Sequence, residues 1–166
     1  MKIAYVTTYN SSDIHAWSGL GAHILRALQS CGFQTETIGG LRKKYAFVSG
    51  IKKALYATVL SKTYLRDREP TILKDYARQV ESALACISCD VVFSPGTIPI
   101  AYVRTEKPIV FWTDATFAGM TDFYPAVSNL CTETITNGNK MEALALSKCH
   151  IAIYSSEWAA NTATKL

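Results

Sequence analysis

The sequence is short of charge, of long apolar runs and of internal repeats. Charged residues fill 18% of its 166 positions, below the usual quarter, as expected when a parallel sheet is buried on both faces. No apolar run is long enough to span a bilayer. The opening Met1-Lys2-Ile3-Ala4-Tyr5-Val6 also lacks the extended apolar core of a signal peptide, so a cytoplasmic protein is the simplest expectation. The net charge of +4, from 17 basic and 13 acidic residues, is too mild for a nucleic-acid binder. With 49% apolar residues, the chain can still fill the core of a single domain.

The pattern of cysteine excludes more than it suggests. Cys31, Cys86, Cys89, Cys131 and Cys149 are odd in number and scattered, which argues against a disulfide framework. Cys86 and Cys89 form a C-x-x-C at a predicted helix C-terminus, where the helix dipole opposes a thiolate. No second pair stands at zinc-site spacing, and His15, His23 and His150 form no paired motif. The cysteines read as packing residues, and neither a metal nor a cofactor is expected.

What is present alternates between strands and helices. Ile3 to Thr7 reads as a central parallel strand, followed by a polar loop from Thr8 to Gly19. Ile24, Ala27, Leu28 and Cys31 recur at helical spacing up to Gly32, and Phe33 to Ile38 forms a second strand. A second helix carries Phe47, Ile51, Leu55 and Val59 on one face. A third opens at Pro70 with the stripe Ile72, Tyr76, Val80, Leu84 and Ile87. Further strands are expected at Val91 to Ser94, Ile109 to Thr113 and Ile151 to Tyr154, with a helix through Met141, Leu144, Ala145 and Lys148 before the last. This order implies one α/β domain over 1–166, a Rossmann-like doubly wound parallel sheet with helices on both faces. The helix opening at Ser155-Ser156-Glu157-Trp158 meets no stop signal before Leu166, so the sequence reads as the front half of a larger protein.

Such sheets bind ligands beyond the carboxyl ends of their strands. That places Thr8 to Gly21, Ser94 to Thr97, Thr113 to Thr116 and Ser155 to Glu157 on a candidate rim, with Thr97, Ser155 and Glu157 as binding candidates. Polar loops at strand ends explain part of the same pattern. Ser18-Gly19-Leu20-Gly21 opens the first helix, where glycines let backbone N–H groups approach an anion; a plain helix-start turn is the competing reading. A dinucleotide fingerprint is excluded. The glycines lie far beyond the strand, Ile24 stands where the third glycine belongs, and no acid ends the second strand. No Walker lysine follows either.

His15 and His23 flank the glycine turn as binding candidates, and the helix N-terminus favours the neutral form of His23. His150 is expected to lead a buried strand as a structural residue. Asp114 directly follows the fourth strand among aromatic residues. It reads equally as a carboxylate that orients a sugar hydroxyl or acts as a base, and as the N-cap of the segment behind it. Arg42, Lys43, Lys44, Lys52 and Lys53 cluster around the stripe of Phe47, Ile51 and Leu55. That pattern fits a basic helix lying on an anionic membrane, or, more commonly, a helix whose stripe packs on the sheet.

Four stretches together carry a resemblance: Lys2 to Val6, the glycine turn with its exit Leu25 to Phe33, Asp90-Val91-Val92-Phe93-Ser94, and Ala143 to Ser156. They resemble the N-terminal half of a GT-B glycosyltransferase, nearest to the retaining family 4 (group 1) enzymes. The resemblance implies a two-domain enzyme that moves a sugar from a nucleotide-sugar donor to a sugar or lipid-linked acceptor. This chain would be the acceptor-side domain, with Gly19 and Gly21 near the donor phosphates. The donor-binding domain, with its paired glutamates, would lie outside the chain. Many members place a histidine after the fourth strand, where this chain has Asp114. The alternative from another class is a non-catalytic Rossmann-like ligand-binding or regulatory domain.

Overall fold

The computed structural model describes residues 1–165 and, within them, the side chains of all positions except 46 and 48. In chain order it runs β1 (Lys2–Val6), α1 (Leu20–Ser30), β2 (Gln34–Ile38), α2 (Ala46–Val59), α3 (Pro70–Leu84), β3 (Val91–Pro95), β4 (Ile109–Thr113), α4 (Phe117–Met120), α5 (Thr132–Lys148), β5 (Ile151–Tyr154) and α6 (Glu157–Ala163). All strands pair in parallel, in the order β2-β1-β3-β4-β5. The protein is an α/β fold of Rossmann-like type, as its alternation of elements predicts.

The core is split by the sheet, and β1 shows why. Its side chains alternate between faces. Ala4 and Val6 join Ala77 and Val80 of α3, Val92, Ile109 and Phe111 on one side. Ile3 and Tyr5 join Leu25 of α1 and Phe93 on the other. Full burial of a Val or Phe side chain contributes about 1.5–3 kcal/mol, which leaves little room for charge in the strands.

Several boundaries and faces differ from the sequence reading. The buried face of α1 is Gly21, Ala22 and Leu25, with Ala27 and Cys31 exposed, because the first turn packs tightly on tyrosines of β1 and its loop. α5 begins well before Met141. Its first half buries only Thr134 and Gly138, Thr134 Oγ1 accepting from Leu65 N–H at 3.2 Å, so it leaves no apolar periodicity. β5 is an edge strand with Ile151 and Ile153 exposed, and His150 is exposed too, which overturns the buried-strand reading. α6 closes at Ala163 with Thr164 as its C-cap, while Leu166 lies outside the described residues. All five cysteines are free; Cys89 and Cys131 are buried as packing residues, but Cys31 and Cys86 are exposed.

The largest departure is α2, whose apolar stripe does not pack on the sheet. Phe47, Ile51, Leu55 and Val59 face solvent, with Phe47 80% exposed. The helix is held instead by polar residues. Lys52 Nζ reaches Glu133 Oε1 at 2.6 Å and Glu69 Oε2 at 3.1 Å, and the Tyr56 hydroxyl donates to Glu133 Oε2 at 2.9 Å. The Tyr56 ring stacks on Tyr64 with centroids 5.4 Å apart. Lys52 therefore leaves the exposed basic group.

Candidate functional site: a cleft at the carboxyl edge of the sheet

A cleft of about 390 Å³ opens at the carboxyl ends of β1, β3 and β4. The strand order reverses between β1 and β3, and ligands of open parallel sheets bind at such a switch point. The loop after β1 supplies Thr8, Tyr9 and Trp17; β3 and its loop supply Pro95 to Pro99; the end of β4 supplies Thr113 to Ala115. Phe117, Met120, Arg68 and Glu142 complete the wall.

The loop after β1 is held in an unusual backbone conformation. Trp17 and Ser18 have φ of 48° and 54°, followed by Gly19 at 78°. Left-handed conformations at non-glycine residues concentrate where function fixes the chain. Here they project Trp17 into the cleft, edge-on to Trp112 with ring centroids 5.7 Å apart. The Tyr9 hydroxyl is buried without a hydrogen-bond partner among the described residues, and burial raises its pKa.

Asp114 lines the cleft, is exposed, and its carboxylate makes no hydrogen bond or ion pair among the described residues. The capping alternative is overturned: Thr116 caps α4, its Oγ1 accepting from Gly119 N–H at 3.0 Å. Thr97, largely buried, lines the same cleft.

The other predicted residues lie outside the cleft wall. Gly19 is the left-handed N-cap of α1, and a Cβ there would stand 3.0 Å from the Ile14 carbonyl oxygen and near the His23 ring. Gly21 accepts from the Tyr5 hydroxyl through its carbonyl at 2.6 Å, and a Cβ on it would collide with the Tyr9 hydroxyl. Both glycines thus serve close packing around the loop that carries Tyr9 and Trp17. His15 and His23 are exposed beside this turn. Ser155 lies against Asp114, its Oγ donating to the Asp114 carbonyl at 3.4 Å, while Glu157 is exposed in the first turn of α6.

Sequence reasoning missed the two charged residues of the inner wall. Arg68 is 7% exposed and Glu142 is 2% exposed. Glu142 accepts a short hydrogen bond from Phe117 N–H, yet burial outweighs it and lifts the carboxyl to about 7. The Arg68 guanidinium beside it pulls in the opposite direction, favouring the carboxylate. The one available signal was position: Glu142 lies between Met141 and Ala145 on a helix face that proves buried. Arg68, two residues before Pro70, carries no signal at all.

Among the described residues no cluster of His, Cys, Asp or Glu is arranged to hold a metal ion, and no helix is long and apolar enough to cross a membrane. Compared with protein-family models and with curated protein sequences, the chain finds no match in either. Fold and site therefore define a class only: a Rossmann-like α/β protein with an aromatic cleft at its switch point that carries Asp114, Glu142 and Arg68.

Proposed function

We propose that the chain is the acceptor-side half of a retaining glycosyltransferase that uses a nucleotide-sugar donor. The observation that supports this best is Asp114, an unpartnered carboxylate on the wall of the cleft that also holds Trp17. A free carboxylate accepts hydrogen bonds from sugar hydroxyls, and an aromatic face suits the apolar face of a sugar ring. In this reading Asp114 orients the acceptor hydroxyl, or takes its proton, as that oxygen bonds the anomeric carbon and the nucleoside diphosphate departs. The donor nucleotide would be held by a second domain, and no cofactor is called for. A transfer assay on the full-length protein with a panel of nucleotide sugars tests the proposal. Transfer that drops about a hundredfold in Asp114→Asn, at unchanged melting temperature, supports it. Sugar binding in the cleft without turnover would favour a non-catalytic binding domain instead.

We also propose that α2 makes a peripheral contact with an anionic membrane on the cytoplasmic side, which suits a lipid-linked acceptor. The support is its outward apolar stripe beside exposed Arg42, Lys43, Lys44 and Lys53.

A further inference from the structure

The inner wall of the cleft carries charges that sugar hydroxyls do not require. Among the described residues the Arg68 guanidinium makes one hydrogen bond, from Nη1 to Asp67 Oδ2 at 3.0 Å, and Asp67 is itself half exposed. Its carbon rests 5.0 Å from the centroid of the Phe117 ring. The Arg68 Nε–H is buried with no acceptor, and no ion pair links Arg68 to Glu142 among the described residues. A buried guanidinium so weakly satisfied is costly unless a ligand completes it. Arginine presents its donors in a fork matched to carboxylate and phosphate oxygens.

We propose that Arg68 is the anchor of an anion subsite at the inner wall of the cleft, receiving a carboxylate or phosphate group of the acceptor, with Glu142 lining the same wall. That the anion belongs to an acceptor rests on the transferase reading; the subsite itself does not. Glu142 keeps one oxygen on Phe117 N–H of α4, and faces Arg68 from the turn before α3 and Tyr154 from β5; Asp114 and Tyr9 line the same cleft. An ionised Glu142 would repel an incoming anion, whereas burial already favours the acid form near neutrality. Anion binding and Glu142 protonation must then strengthen each other equally.

Nuclear magnetic resonance on the whole chain tests this with sulfate and acetate, which keep their charge across neutral pH. Sulfate stands for phosphate and acetate for carboxylate. The Arg68 Nε–H resonance should shift saturably with one of them, and the tighter probe assigns the acceptor's group. Its dissociation constant should rise about tenfold from about pH 6 to about pH 8, and the Glu142 side-chain titration should move upward when the anion is bound. Arg68→Gln should abolish the shift of the cleft resonances, while Glu142→Gln should keep binding and flatten its pH dependence. If Arg68→Gln does not fold, the wild-type Nε–H signal decides alone. An Nε–H resonance that neither anion moves overturns the subsite. Saturable binding at Arg68 in a protein that transfers no sugar keeps the subsite and removes the transferase reading; transfer with an unresponsive Arg68 does the reverse.

Discussion

The guanidinium carbon of Arg68 stands 5.0 Å from the ring centroid of Phe117, whose own backbone N–H donates to Glu142. Phe117 thereby links Arg68 and Glu142, the two buried titratable side chains of the cleft wall. Its ring is itself pressed against Gly138 of α5, where any Cβ would collide with it. Three distant segments thus meet at one aromatic side chain.

Stability should depend on pH through Glu142. Its carboxyl titrates near 7 in the folded protein against 4.5 ordinarily, so the folded state binds the extra proton between those values. Below 4.5 both states are protonated and nothing is lost. As pH rises through the window the wild type loses stability, by up to about 3 kcal/mol once above the folded value. Glu142→Gln, always neutral, should flatten that slope and be the more stable protein in mild alkali. Urea denaturation across the window measures this; a wild-type profile with no fall between those values would rule it out.

Asp114 and Thr116 should separate cleanly in a pair of variants. Thr116→Ala removes the N-cap of α4 and should cost about 1 kcal/mol. Asp114→Asn loses no intramolecular hydrogen bond and should leave the melting temperature within experimental error while weakening sugar binding. A stability loss in Asp114→Asn equal to that of Thr116→Ala would count against Asp114 as a binding carboxylate.

Gly19→Ala should destabilise the fold by about 1–2 kcal/mol, because its φ of 78° is costly for any residue with a Cβ. Thermal denaturation reads the loss directly. Gly19→Val, which adds a branched side chain facing the Ile14 carbonyl, should lose more. Any effect of these variants on sugar binding must be corrected for that strain.

Ile51→Asp and Leu55→Asp should reduce co-sedimentation with anionic vesicles about tenfold and leave folding stability within about 0.5 kcal/mol. Both side chains are exposed, so neither change opens a cavity. Equal binding to neutral and anionic vesicles would remove the electrostatic part of the proposal.

The central strands were legible because strands buried on both faces are written as short apolar runs. Val91 to Pro95 and Ile109 to Thr113 announce themselves wherever they pack. Pro70 marked the start of α3, since a residue without an N–H fits the first helical turn at no cost. The rim residues Asp114 and Thr97 followed from topology alone, because parallel strands deliver all their carboxyl ends to one edge.

Tertiary structure decided what periodicity does not encode. The same stripe of Phe47, Ile51, Leu55 and Val59 reads as core or as surface until its partners are known. Glu69 and Glu133 captured Lys52 and turned the polar side of α2 inward. Arg68 and Glu142 are ordinary charged residues in sequence, and only the meeting of α4, α5 and the turn before α3 buries them in the cleft. Local sequence determines strand and helix because those depend on neighbours along the chain. Which charges lose their water depends on segments far apart in it, and that only folding sets.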